Sequence, residues 1–266
     1  MTRKQIVKTV EDLFKRINKL SRKIIKTWDA DDIHVFRVQV KKLRAFLRLL
    51  NSVNKTENPL IPEPLKTFYR YIGYIRNIQL HCDKFIEQHA TYKAHPPVAY
   101  MKMIGDEKRY WQSAAADLIT GHGFRDSEEE ILENLPDKVG RSTKKRFLEK
   151  KTDKLKKALR KPEDDKTIHT VRKILKDLLY AWKFIDVHRL PESISKQSDL
   201  KSLTSQIGDF IDKQVQLEFL SDRYLENIKD EQEKKSLLKM KAQLLNEKQT
   251  MLRALLLVFR HISGKL

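Results

Sequence analysis

Two histidines, each followed three residues later by an arginine and then by further cations at helical spacing, are the residues of this chain best suited to chemistry. His34-Val35-Phe36-Arg37 continues into Lys41, Arg44 and Arg48, and His169-Thr170-Val171-Arg172 continues into Lys176 and Lys183. Matched members of the two sets lie 135 residues apart, as do Gly73 and Gly208, Leu65 and Leu200, and Gln79 and Gln214. With His34 at 0° and about 100° per residue, Arg37, Lys41, Arg44 and Arg48 fall near −60°, −20°, −80° and −40°. All five share one sector of a helix, and Val35, Phe36, Leu43, Phe46, Leu47 and Leu50 hold the opposite side. The second copy repeats the sector with Tyr180 beside it, but Leu179 stands where Arg44 stood, so its face is weaker.

The helix expected before each histidine carries a second cationic line. Lys15, Lys19, Arg22 and Lys26 follow one helical face, and Lys150, Lys154, Lys157 and Lys161 repeat it at the same offset. A solvated face is the ordinary reading of a charge run. Such faces mix signs for i,i+4 pairing, whereas like charges at that spacing repel. Cations stacked without acids therefore point to an external anion. For the histidines, a ring nitrogen near a helix start can donate to a phosphate oxygen or to a neighbouring helix. Asp31 and Asp32, like Asp164 and Asp165, are read as capping or first-turn residues. Metal binding and a phosphohistidine or general-base role are the alternatives. No His-x-x-x-His or Glu-x-x-His pattern, Gly-rich phosphate loop or Ser-His-Asp arrangement supports them.

The elements that position these residues are helices. Gly (7) and Pro (8) are scarce and clustered among the 266 residues, leaving long stretches without a breaker. We expect an all-α chain with helices at about 3–27, 32–51, 64–90 and 97–120, then 137–161, 166–187, 192–227 and 230–262. Residues 1–120 and 137–266 are read as two four-helix bundles related by an approximate twofold. The linker 121–136 holds a short helix started by Ser127. The apolar stripe Ile6, Val10, Leu13, Ile17, Leu20 and Ile24 illustrates the pattern. Gly73 and Gly208 interrupt helical sequence at matched places, and close helix approach is the expected reason.

The net charge of +19 is shared between the halves, so a basic tail is not its source; it draws anions without saying which. Cys82 is the only cysteine, which leaves no intramolecular disulfide and no cysteine-based zinc site. The first residues lack the apolar core of a signal peptide, and the longest apolar run, Ala254 to Phe259, is too short to span a bilayer. A cytoplasmic protein is the expectation.

These residues resemble the CHAD family, the conserved-histidine α-helical domain. The family's hallmarks are a helix beginning His-x-x-Arg with cations down one face, and a later helix with Gly-x-x-Arg-Asp. The first appears as His34 to Ala45 and again as His169 to Arg172. The second appears as Gly73-Tyr74-Ile75-Arg76-Asn77, with Gly208-Asp209-Phe210-Ile211-Asp212 as its duplicate. The resemblance covers essentially the whole chain. It implies two four-helix bundles meeting at a basic pore or groove that binds inorganic polyphosphate, with Arg76 added to the cations above, no cofactor, and an association with polyphosphate granules. Two departures stand out: Asn77 and Gln79 occupy positions where the family has acids. No Glu-x-Glu-x-Lys strand motif of a triphosphate tunnel enzyme is evident; the one run with that spacing, Glu231 to Lys235, lies at the start of the helix expected at 230–262.

Together these readings describe a non-enzymatic binder of linear polyphosphate, in which Arg forks onto phosphate oxygens and Lys acts as a point charge. Three alternatives remain. A single-stranded nucleic-acid module would want aromatics interleaved with the cations, and mainly Tyr180 offers itself. A polyphosphate hydrolase or phosphotransferase would use the histidines. A scaffold would dock an acidic protein on the basic face.

Overall fold

A computed structural model of the chain describes residues 1–52, 61–92, 97–119, 122–160, 165–191 and 194–264. Among these residues the architecture is all-α, and the only extended pairing is an isolated bridge between Thr2 and Lys138. Helix α1 (Arg3–Thr27) opens with a capping box between Thr2 and Gln5. It buries Ile6, Val10, Phe14, Ile17, Ser21 and Ile24. Leu13 and Leu20 of the expected stripe sit at its half-buried edge, because the helix turns to enclose the larger Phe14.

Trp28 ends α1 in the left-handed region, with φ of 52°. Asp29 then caps α2 (Ala30–Leu50) by accepting from the Asp31 and Asp32 backbone N–H groups at 3.1 and 2.9 Å. The helix therefore starts two residues before the expected position, and Asp31 and Asp32 lie in its first turn. Helices α3 (Glu63–Tyr92) and α4 (Val98–Ala116) complete the first set. The short α5 (Arg125–Glu133) starts after Phe124 rather than at Ser127, whose side chain is buried inside the first turn.

The second set is α6 (Arg141–Arg160), α7 (Asp165–Ala181), α8 (Gln197–Phe219), the single turn α9 (Asp222–Leu225) and α10 (Glu231–Ser263). Two expected helices are shorter than their sequence pattern. The α7 path leaves the helix for 3-10 turns at Trp182–Phe184 and Val187–Arg189, which sets Phe184 against Phe46 at 4.9 Å between ring centroids. The expected helix 192–227 begins at Gln197 and breaks at Leu220-Ser221, a break that lets Leu220, Tyr224 and Leu225 all be buried.

Within each set, consecutive helices pack: α1 on α2, α2 on α3, α3 on α4, then α6 on α7, α7 on α8 and α8 on α10. The sets meet through their matched helices, α2 on α7 and α3 on α8. One core lies inside the first set around Phe14, Phe36 and Phe68, and one inside the second around Phe147, Ile168 and Phe259. A third core was not part of the two-bundle expectation. It takes Ile78, Phe85, Tyr100 and Ile104 from α3 and α4 and joins them to Phe219, Leu220, Tyr224, Leu237 and Leu244. Inside it, the Tyr100 hydroxyl donates to Phe219 O at 3.0 Å, so His81 Nε2, 2.6 Å away, must donate to that hydroxyl. Glu233 of α10 accepts from the Tyr100 backbone N–H at 2.7 Å.

Candidate functional site

The contact of α2 with α7 sets the two His-x-x-Arg helices side by side. Arg37 runs under α3, donates from Nη1 to Tyr69 O at 3.3 Å and lies over the Tyr69 ring at 4.7 Å. Arg44 covers the same ring at 5.0 Å. Gly73 makes room for this path, since a Cβ there would overlap the Arg37 guanidinium. The helix glycine is thus explained by a side chain and not by backbone approach. At Gly208 the matching Arg172 is 3.5 Å from where a Cβ would stand, an ordinary contact.

The electrostatics show what has been gathered. Burial pulls the Lys41 ammonium down to about 7, and Arg37, Arg172, Lys176 and Arg44 add to the shift. Arg37 is pushed down by burial and by Arg172, Arg76 and Arg44, with Tyr69 opposing. Lys176 is lowered by burial and Arg172, and it stands 5.8 Å over the Tyr180 ring. His34 is lowered by burial, then by Arg76, Lys41 and Arg37, with Asp31 opposing. Cations of α2, α3 and α7 therefore form one cluster contributed by both sets of helices. Two of its donors, Arg76 Nε and Arg172 Nε, are buried without a hydrogen-bond partner.

Sequence reasoning missed the acids of this site. Asp209 and Asp212 of α8 line a cavity of about 330 Å³ with Arg172, Lys176 and Lys201. Burial raises the Asp212 carboxyl, as does Asp209, while Arg172, Lys41 and Arg76 oppose the rise. Asp212 lies 135 residues after Asn77, and that sequence register was the available signal. Gln79 has a different task from an acid: its Nε2 donates to Trp28 O at 2.8 Å and holds the turn between α1 and α2.

Several expected site residues lie elsewhere. Arg48 is taken by Asp177 of α7 at 2.7 Å, and Lys151 of α6 shares that carboxylate at 2.5 Å, so this triad ties the two sets together. Lys183 sits over Phe184 at 4.7 Å, outside the cluster. Lys15, Lys19, Arg22 and Lys26 are exposed along α1, and Arg22 lies beside Gly123 of the linker. Lys150, Lys154 and Lys157 are exposed along α6, and Lys161 falls outside the described residues. None of these two lines is among the charges that act on Lys41 or Arg37. His169 is half-buried on α7, one turn before Arg172. Among the described residues no three His, Cys, Asp or Glu side chains converge as metal ligands, and no helix is long and apolar enough to cross a membrane.

The family model of the CHAD domain matches residues 8–221. Among solved structures, the crystal structure of the CHAD domain from the plant Ricinus communis is similar with a TM-score of 0.72 at 17% identity. The likeness covers 98% of this chain and 92% of that one, and at this identity it speaks for the fold. No curated protein matches the chain.

Proposed function

The chain belongs to the CHAD family, and from that premise we propose that it binds inorganic polyphosphate, without chemical turnover, in the cation cluster between α2, α3 and α7. The observation that carries this reading is the gathering of Arg37, Arg44, Arg172 and Lys176 from both halves around Lys41, whose ammonium is depressed by burial first and by these charges second. Such crowding is unfavourable until an anion enters. A phosphate chain supplies repeated negative oxygens to offset the clustered guanidinium and ammonium groups. Asp209 and Asp212 border the cluster beside Arg172, Lys176 and Lys201. A single-stranded nucleic acid fits less well, because the Tyr69 ring that could stack a base is already covered by Arg37 and Arg44.

The test is a binding titration with polyphosphate. Arg37→Ala with Lys41→Ala, and Arg172→Ala with Lys176→Ala, should each weaken binding at least tenfold. Lys235→Ala with Lys239→Ala removes the same charge from the exposed side of α10 and should change it little. Equal losses in all three would mean that the net charge acts diffusely. A homopolymeric RNA that displaces the polymer at equal phosphate concentration would favour the nucleic-acid reading. Release of orthophosphate, abolished by His34→Ala, would make the protein an enzyme.

A further inference from the structure

The triad of Lys151, Asp177 and Arg48 has a counterpart in the chain's own 135-residue register. Those positions correspond to Arg16, Lys42 and Lys183. The matched residues also come together: all three line one cavity of about 320 Å³ between α1, α2 and the turn after α7. In the triad a carboxylate joins two cations. In the counterpart the carboxylate's place is held by Lys42, and no ion pair joins Arg16, Lys42 or Lys183 to an acid among the described residues. Burial lowers the Lys42 ammonium, with Arg16 and Lys183 adding to the effect, as close unpaired cations would.

The rest of the lining says what kind of anion belongs there. Asp12 also borders the cavity, so its charged groups sum to +2, the complement of one phosphomonoester dianion. Phe46, Tyr180 and Trp182 form an apolar, aromatic wall. Gln39 is 5% exposed, lines the cavity, and has a buried Oε1 with no hydrogen-bond partner. Its counterpart in the register is Ile174, an apolar residue buried in the second core. With no partner holding that oxygen, a turn of the Gln39 amide brings the acceptor into the cavity it borders, where it can meet an N–H donor of a ligand. Mostly apolar pockets of this size with a few converging polar groups are where small molecules bind.

We infer that this cavity is a second site, distinct from the polymer cluster, for a phosphomonoester carrying a flat nitrogen heterocycle, the chemistry of a nucleoside monophosphate. The phosphate takes the place that the Asp177 carboxylate holds in the triad, on Arg16, Lys42 and Lys183. The heterocycle lies against the aromatic wall, and the Gln39 amide turns into the cavity so that Oε1 accepts from one of its N–H groups.

Calorimetric titration of the full chain with AMP tests this. One equivalent should bind, and both adenosine and inorganic phosphate should bind at least tenfold more weakly. Lys42→Asp restores the acid of the triad, so it should abolish AMP binding while raising the Tm of the unliganded protein and leaving polyphosphate affinity in place. Gln39→Leu should weaken AMP at least fivefold without changing the affinity for inorganic phosphate. AMP binding should persist in Arg37→Ala with Lys41→Ala, in which the polymer cluster is dismantled, so the two readings fail separately. No binding of AMP, binding lost with the polymer cluster and retained in Lys42→Asp, or inorganic phosphate binding as tightly as AMP would each overturn the inference.

Discussion

Lys41 carries the strain of its neighbours, and its titration reports the state of the site. Its folded-state value of about 7 lies below the ordinary 10.5. Between those values the unfolded chain holds a proton that the folded protein does not, so stability rises with pH across that window. Lys41→Met should flatten that rise in urea unfolding and stabilise the unliganded protein near pH 6. A bound anion restores the proton, so polyphosphate affinity should fall by up to about tenfold per pH unit above 7, and this slope should disappear in the same variant. His81 makes a prediction of the same sign in a lower pH window. Burial holds it down at about 4, below the ordinary 6.5. The folded protein keeps it neutral and loses that contribution as pH falls from 6.5 toward 4, a change of about 3 kcal/mol. His81→Phe should blunt acid unfolding. Of the site, Arg37, Lys41, Arg44, Arg172 and Lys176 were legible because a helical wheel gives direction. Arg48 lies in the same sector, but its pairing with Asp177 on another helix was not legible, because direction alone does not name a partner.

Helices followed their breakers. Long uninterrupted stretches became α1, α2, α3 and α10 nearly as expected. The ends that departed were set by what lies across from them, as when Phe184 leaves α7 to meet Phe46. The two helix glycines separate the same way. Both were visible as a pair in the sequence, yet only Gly73 is filled by an arginine. Gly73→Ala should displace Arg37 and weaken polyphosphate binding at least fivefold, despite an intrinsic helix gain of about 1 kcal/mol. Gly208→Ala has only the ordinary contact with Arg172 and should keep that gain as added stability. Thermal unfolding beside the binding titration distinguishes the two.

At the scale of the whole molecule, the +19 charge is spread over both halves, and part of it, Arg37, Lys41, Arg44, Arg76, Arg172 and Lys176, gathers where they meet. If about six cations engage the polymer at roughly −0.7 per contact, affinity should drop about 300-fold between 50 and 200 mM salt. Saturating polyphosphate should raise Tm by mass action, and a direct measurement of both would show whether site and fold share this charge. The third core could not be read beforehand, because an apolar face on α3 or α4 suits a partner in either half equally well. It has a consequence for how the protein is made. Ile78 emerges from the ribosome about 140 residues ahead of Phe219. At translation rates of about 5–20 residues per second, that leaves this apolar surface uncovered for about 7–30 s. A nascent first half is thus a natural client for a holding chaperone, and a message truncated in the linker would yield a sticky product rather than half of a working protein.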